Sequence, residues 1–209
     1  VQWKRASEVY GMHGFTVGQS IAPTSIVQGA LGNAHFLSAL ALLADHPHLL
    51  RRLLSPGEPS AQGIYSVWLS LERGWEEVVV DDYFPFICER GETVTPIFSH
   101  SNNGDIWVML FEKAWTKVRG SYSAAVQGSV LDVIQALTGV ACLPLALQWA
   151  TLIETTSGSD VVLCTAGVTG FNGCAYVIED AISQQAVNGD VVHFLRLKNA
   201  LLDTHFESQ

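Results

Sequence analysis

Hydrophobic side chains occupy almost every position from 33 to 44, and such a run predicts a helix that is buried on all sides. Gly32 precedes the run, and Asn33 is a residue type that favours the N-cap of a helix. A His-Pro pair at positions 46–47 ends this helix, because proline cannot continue it. Residues 48–54 are predicted to form a second, shorter helical piece.

Two further kinds of pattern follow along the chain. Residues 64–71 and 76–80 are strand-like, with a turn at Arg73-Gly74 between them. Helical spacing returns at residues 106–118, with Asp105 at the start, where the helix dipole favours a carboxylate. Residues 130–137 form another predicted helix, ended by Thr138 and Gly139.

Beyond about residue 145 the pattern changes to short β-rich runs separated by Gly, Ser and Asn. The runs are residues 145–155, 160–165, 174–179 and 191–198. Helices followed by strands are typical of an α+β protein in which an α lobe packs against an antiparallel β lobe. We therefore predict a first lobe over residues 1–140 and a second, incomplete lobe over residues 141–209.

Charge and composition exclude some classes of partner. The chain carries a formal net charge of −9 and a pI of about 5.1, and no Lys/Arg-rich run offsets this charge. Such a field repels phosphate backbones, so nucleic acid is not expected as a partner. The most apolar stretch, residues 140–153, is too short to cross a bilayer and contains Pro144 and Gln148.

The four cysteines, Cys88, Cys142, Cys164 and Cys174, form no CxxC pair. This spacing predicts a reduced intracellular protein without a zinc site or a disulfide framework. The chain begins with valine, has no signal peptide and stops without a closing structural pattern. We therefore expect it to be a piece of a larger polypeptide.

Several sequence blocks resemble the calpain family, in the same order along nearly the whole chain. Residues 28–40 resemble the active-site signature QGxLGDCW, and residues 74–85 resemble the block GxWxxVxxDDxLP. Residues 100–122 resemble the block that begins HS and ends GSY. Residues 173–176 lie where the family has GHAY, and residues 195–199 lie where it has a run ending in RNPWG. The resemblance implies a papain-like core of two lobes with the active site between them.

The resemblance also assigns the catalytic positions, and two of them have lost their chemistry. The nucleophile position holds Ala34 and the base position holds Cys174, whereas the orienting Asn199 and the oxyanion-hole Gln28 remain. A methyl group cannot attack a carbonyl. A thiol, with an ordinary pKa of about 8.5, is a poor proton shuttle at neutral pH. The residues after Asn199 are Ala-Leu-Leu instead of Pro-Trp-Gly, so the tryptophan that would shield the Asn–His hydrogen bond is missing.

Three other interpretations of these residues remain open. Ala34 is a laboratory substitution in the first, although the changes at Asn33, His35, Cys174 and Leu201 argue against it. In the second, Gln28 and Asn199 are retained only as satisfied buried polar groups. In the third, Cys174 serves as a relocated nucleophile with His35 as its base. Since one helical step turns His35 about 100° from Ala34, we favour instead a cleft thiol and a histidine at the cleft edge or surface.

Calcium is the cofactor that the resemblance implies, with one site in each lobe. In the first lobe the family places one acidic residue where this chain has Ser25 and another where it has Asp105. One carboxylate of the pair is lost, and the second-lobe site would use residues beyond position 209. We therefore expect weak Ca²⁺ binding or none, and we favour a helix-start role for Asp105.

The sequence leads to three functional hypotheses. The first is a pseudoprotease that binds a protein or an extended peptide in its cleft. It would be one domain of a longer chain in the cytoplasm, and a cytoskeletal or regulatory role is implied only by resemblance. The second is a genuine calpain-type cysteine endopeptidase, either inactivated by engineering or using rearranged residues. The third is a structural domain with an empty cleft.

Overall fold

The structure is a computed structural model that describes residues 1–88, 94–141, 163–165, 175–186, 188–199 and 205–208. Its helices are α1 (Ala6–Tyr10), α2 (Ala34–Ala44), α3 (Pro47–Arg51), α4 (Trp107–Val118) and α5 (Val130–Thr138), with short 3-10 turns at Pro23–Ser25 and Ala124–Val126. The strands of the first part are β1 (Gln2–Arg5), β2 (Ile26–Val27), β3 (Leu54–Ser55), β4 (Ile64–Leu71), β5 (Gly74–Asp81), β6 (Tyr83–Cys88), β7 (Val94–Pro96) and β8 (His100–Ser101). Those of the second part are β9 (Leu163–Thr165), β10 (Ala175–Gln185), β11 (Val191–Asn199) and β12 (His205–Ser208).

All the sheets are antiparallel, and they divide along the chain. The first part contains the sheets β1-β6-β7 and β3-β4-β5 and the small pair β2-β8, whereas the second part forms one sheet in the order β12-β11-β10-β9. Helices together with antiparallel sheets confirm the predicted α+β class. The boundary near residue 140 stays a prediction, since residues 142–162 lie outside the described residues, and so does the predicted strand-like run at 145–155.

The hydrophobic core of the first part forms around α2 and α4. Phe36 of α2 stacks on Trp115 of α4, with ring centroids 5.8 Å apart, and Trp107 at the start of α4 is fully buried. Burial of α2 agrees with its nearly continuous apolar sequence, with nine of its eleven residues buried. This core therefore fixes the position of the N-terminus of α2, where the candidate site lies.

Local sequence signals set the ends of α5 as predicted. The Ser129 hydroxyl oxygen accepts a hydrogen bond from the Leu131 N–H at 3.1 Å, which satisfies one of the free donors of the first turn. Gly139 ends the helix in a left-handed conformation with φ of 72°, and its N–H donates to the Gln135 carbonyl.

The strand prediction was accurate where the strands are long and incomplete where they are short. The hairpin of β4 and β5 is confirmed, but its turn is Glu72-Arg73 and not the predicted Arg73-Gly74, because Gly74 already pairs with Leu71. The predicted helical piece at residues 48–54 was wrong at its end, because α3 stops at Arg51 and Leu54 of β3 pairs with Val67 of β4. Of the other six strands of the first part, four have only two or three residues, too few for a period-2 pattern to show.

Candidate functional site

Ala34 is the first residue of α2, and its methyl group is half-buried. The N–H groups of Phe36 and Leu37 donate to the Asn33 carbonyl at 2.9 and 3.2 Å, so the helix begins with regular geometry. The first N–H groups of a helix lack partners within the helix and make its N-terminus electropositive. That environment stabilises an anion such as a thiolate, but an alanine side chain carries no group that can ionise.

A buried carboxylate, Glu112 of α4, holds the residue directly before this position and also the distant segment at Ser99. The Asn33 side-chain amide donates to Glu112 Oε1 at 2.7 Å. The Ser99 hydroxyl donates to the same oxygen at 2.6 Å, and the Ser99 N–H donates to Oε2 at 3.1 Å. Glu112 is only 2% exposed and Asn33 is fully buried. Burial raises the pKa of Glu112, and the hydrogen bonds from Ser99 and Asn33 oppose that rise.

Asn33 therefore occupies the predicted N-cap position without capping the helix through its side chain, which turns inward to Glu112. Sequence reasoning missed Glu112, although a signal exists: it is an acidic residue within the apolar run of α4. A carboxylate at such a position needs buried donors, because an unpaired buried charge is very costly. The donors are 79 and 13 residues away in sequence.

The loop that carries Gln28 is held against the segment leading to Ser99. The Ala30 N–H donates to the Ile97 carbonyl at 2.8 Å. A Cβ atom at Gly29 would come within 2.2 Å of the Phe98 carbonyl carbon, so only glycine allows this close approach. Gln28 itself is exposed, and no hydrogen bond joins its side chain to any described residue. The interpretation of Gln28 as a satisfied buried polar group was therefore wrong.

Asn199 is the last residue of β11 and is 2% exposed. In the antiparallel register it pairs with Tyr176 of β10. Cys174, at the predicted base position, lies outside the described residues, as does Leu201. The pairing of Tyr176 with Asn199 brings the start of β10, which begins at Ala175, next to the end of β11. The side chain of Lys198 meets Asp45 at the end of α2, with Nζ 3.4 Å from Oδ2.

His35 is buried, so the predicted position at the cleft edge or surface was wrong. The His35 side chain is 4% exposed. Gly128 packs directly over it, since a Cβ atom added at Gly128 would lie only 2.6 Å from His35 Nε2. No hydrogen-bond partner of Nε2 is found within the part of the chain that the structure describes. Burial lowers the pKa of His35, the charge of Arg119 lowers it further, and Asp132 raises it. His35 is thus a neutral packing residue beneath Gly128.

We expect His35 to make the chain less stable in mild acid. The pKa is lowered in the folded state, so the unfolded chain binds more protons once the pH falls below about 6.5. Stability from neutral His35 is present above that pH and is lost as the pH falls towards the folded pKa, at up to about 1.4 kcal/mol per pH unit. Urea unfolding of the native chain and of His35→Gln at several pH values measures this slope.

The exposed His48 offers a matched control. His48→Gln is expected to keep the acid sensitivity of the native chain, whereas His35→Gln is expected to reduce it. Equal pH slopes for the native chain and His35→Gln would contradict the assignment.

Asp105 is buried and makes its contacts with backbone N–H groups. Oδ1 accepts from Gly18 at 2.7 Å and from Trp107 at 3.2 Å, and Oδ2 accepts from Ser20 at 2.8 Å. The contact with Trp107, the first residue of α4, agrees with the predicted helix-start role. Ser25, at the other predicted position, donates its hydroxyl to the Ala22 carbonyl.

These residues do not fit a calcium site. Calcium needs several convergent oxygens, and both oxygens of Asp105 already face N–H donors. Among the described residues no three His, Cys, Asp or Glu side chains lie close enough together to hold a metal ion. Within the same residues no helix has the length and hydrophobicity needed to cross a membrane. Cys88 is a half-buried free thiol.

Comparison with known proteins extends the likeness over almost the whole chain. The family described as calpain family cysteine protease matches residues 1–206. The calpain-type cysteine protease DEK1 of Arabidopsis thaliana is 32% identical over 181 residues, which cover 75% of this chain and 8% of that protein. The calpain-1 catalytic subunit of Sus scrofa is 32% identical over 194 residues, which cover 90% of this chain and 25% of that protein. The chain thus spans a quarter or less of the length of these relatives.

Proposed function

Because this chain belongs to the calpain family of cysteine proteases, we propose that it is a protease core without thiol-dependent peptide hydrolysis, retained as a protein-binding module of a longer polypeptide. The observation that carries the proposal is Ala34 at the N-terminus of α2. The electropositive end of a buried helix is where a thiolate nucleophile is stabilised, and here it presents a methyl group.

The missing groups account for most of the expected rate of a thiol protease. Such an enzyme needs a nucleophile, a base that takes and returns its proton, a group that orients the base, and an oxyanion hole. With Ala34 and Cys174 at the first two positions, only Asn199 and Gln28 remain of this set. Loss of the nucleophile or the base in a comparable hydrolase costs on the order of 10⁶ in turnover, with a residual rate from the oxyanion hole and binding.

Retention of the surrounding scaffold supports a binding role. The loop of Gln28 and the start of α2 are both fixed to the segment at Ser99, through Gly29 and through Glu112. Gln28 is exposed and Ala34 is half-buried, so their side chains are accessible to a ligand. We propose that these two side chains line a cleft that recognises an extended peptide without chemistry on it. The partner is therefore proposed to be a protein segment in extended conformation.

The proposal also covers the parent polypeptide of this chain and its location in the cell. The relatives are several times longer than this chain, which supports a place beside other domains of a parent polypeptide. A cytoplasmic location fits the free thiol of Cys88, since thiols are kept reduced there. Association with the cytoskeleton or with active proteases belongs to the same proposal, and only the resemblance supports it.

The first experiment tests hydrolysis. The purified chain is incubated with fluorescent casein in the presence and absence of calcium, beside an active calpain core as a positive control. We expect no hydrolysis that a thiol-alkylating reagent abolishes. Thiol-sensitive digestion by the native chain would overturn the proposal and favour a genuine endopeptidase with rearranged residues. The native coding sequence at position 34 shows separately whether the alanine is natural.

The second experiment tests binding in the cleft. Fluorescence polarisation of labelled, extended casein peptides is measured with the native chain, with Ala34→Trp, and with Ala61→Trp as a control in an exposed loop. Filling the cleft with an indole ring is expected to weaken binding by about tenfold or more, as loss of about 1.4 kcal/mol does. Equal binding by all three chains, or none by any, would count against a cleft-binding module.

A further inference from the structure

Two segments distant in sequence meet beside Asp105 and are joined by many hydrogen bonds. The loop of residues 16–25 lies against residues 102–107, and Thr16 forms a parallel bridge with Asp105. The Thr16 N–H donates to the Gly104 carbonyl at 3.3 Å, and the Ile106 N–H donates to the Thr16 carbonyl at 3.0 Å. The loop is thereby fixed at its start.

Asp105 holds the middle of the same loop through its N–H groups. The N–H groups of Gly18 and Ser20 point at one carboxylate from alternate positions of the loop, at 2.7 and 2.8 Å. Asp105 is 2% exposed, so these charge-assisted bonds are shielded from water. The loop presents donors here, which is the arrangement that binds an anion, and the chain supplies that anion itself.

The carbonyl groups of the loop are also occupied, by cationic or amide donors. Arg51 donates from Nε to the Gly18 carbonyl at 2.8 Å and from Nη2 to the Gln19 carbonyl at 2.9 Å. The Asn103 side-chain amide donates to the Ser20 carbonyl at 3.1 Å. A divalent cation would need these oxygens free. Instead the guanidinium of Arg51 supplies positive charge at this point.

Asn102 holds the end of the loop. Its side-chain amide donates to the Thr24 carbonyl at 3.2 Å, and its backbone N–H donates to the Ser25 carbonyl at 2.9 Å. The Ser25 hydroxyl is turned to the Ala22 carbonyl at 2.8 Å. Of the two positions that the family resemblance assigns to calcium, Asp105 already accepts from N–H donors of the loop, and the Ser25 hydroxyl donates to a carbonyl of the chain.

We infer that Asp105 and Arg51 together replace a bound ion, so that the loop of residues 16–25 is ordered in the absence of calcium and does not respond to it. Asp105 binds the N–H side of the loop and Arg51 binds its carbonyl side. The two charges do from within the chain what a divalent cation and its carboxylate ligands would do together. This inference goes beyond the proposed function and does not depend on it, because it concerns regulation of the fold.

Thermal unfolding in EDTA and in millimolar CaCl₂ tests the inference on the intact chain. The native midpoint is expected to be the same in both, within about one degree, which corresponds to a fraction of a kcal/mol for a chain of this size. Asp105→Asn turns an amide N–H towards the donors of the loop, and is expected to lower the midpoint by about 5–10 °C equally in both buffers. Glu58→Gln removes an exposed carboxylate and serves as the control.

Ser25→Asp separates the two explanations for weak calcium binding. If only the missing charge prevents binding, this variant gains micromolar affinity in a calorimetric titration with CaCl₂, and the inference fails. If the oxygens are already occupied, the variant shows no binding at millimolar CaCl₂. Should Asp105→Asn not fold, Asn103→Ala removes two side-chain hydrogen bonds, one to the Ser20 carbonyl and one from the Asp105 N–H, and is expected to lower the midpoint by a few degrees in both buffers. A rise of several degrees in the native midpoint on adding calcium would also overturn the inference.

Discussion

The double variant Ala34→Cys/Cys174→His is expected to hydrolyse peptides at least about 100-fold faster than Ala34→Cys alone, because a positioned general base contributes about 10²–10⁴ in rate. The start of α2 has regular geometry, and its scaffold through Glu112 is intact. Asn199, which the resemblance assigns to orient the base, is retained and buried. The measurement is the initial rate on a fluorogenic peptide, with and without a thiol-alkylating reagent.

The single variant Ala34→Cys supplies an internal check, since it tests the helix terminus without the base. Its thiol is expected to have a pKa below the ordinary value of about 8.5, because the free N–H groups of the first turn stabilise the thiolate. The rate of alkylation by iodoacetamide as a function of pH gives this pKa. Ala61→Cys, in an exposed loop, is the matched control thiol. Equal reactivity of the two thiols would show that position 34 no longer favours an anion.

Glu112→Ala is expected to lower the free energy of unfolding by about 3–5 kcal/mol, one of the largest effects of any single substitution in this chain. The substitution removes the acceptor of three hydrogen bonds at once and leaves Asn33 and Ser99 with buried donors that have no partner. Each such donor costs about 1–3 kcal/mol. Because a domain has only about 5–15 kcal/mol in total, this loss is a large part of it.

Urea unfolding at neutral pH measures the effect, with Glu77→Ala as the control. Glu77 lies on β5 with its side chain exposed, so its removal is expected to change the free energy by less than about 0.5 kcal/mol. Reactivity of a cysteine placed at position 34 provides a second readout, because Glu112 holds the residue directly before it. A loss below about 1 kcal/mol would mean that Asn33 and Ser99 find other partners.

Long elements with a strong pattern were predicted well from the sequence. The apolar run of α2, the amphipathic spacing of α4, the hairpin of β4 and β5 and the end of α5 at Gly139 all have local causes. The short strands of the first part were missed because they form through pairing with distant segments. Gln2, for example, pairs with Phe86, and Ile26 pairs with Ser101. Backbone pairing of this kind leaves almost no pattern in strands as short as β2 and β8, which have two residues each.

In the candidate site, too, local features were predicted correctly and features that depend on distant segments were not. Position 34 was identified correctly as the start of a buried helix, because that follows from composition along eleven residues. His35 was expected at the cleft edge or surface and is buried, and the open alternative in which Gln28 is a buried polar group is not met, because Gln28 is exposed. Both depend on what packs over the residue, and Gly128, which covers His35, is 93 positions away in sequence.

The amino-acid sequence alone establishes the chemistry that position 34 can perform, since a side chain without sulfur or oxygen supplies no nucleophile wherever it lies. It also determined the order of the main elements, because apolar periodicity is a local property. The donors that meet the carboxylates of Glu112 and Asp105 are known only from the folded molecule, because they come from up to 79 and 87 residues away. The physical reason is that a buried carboxylate is stable only where hydrogen-bond donors surround it. Packing of distant segments, not spacing along the sequence, brings those donors together.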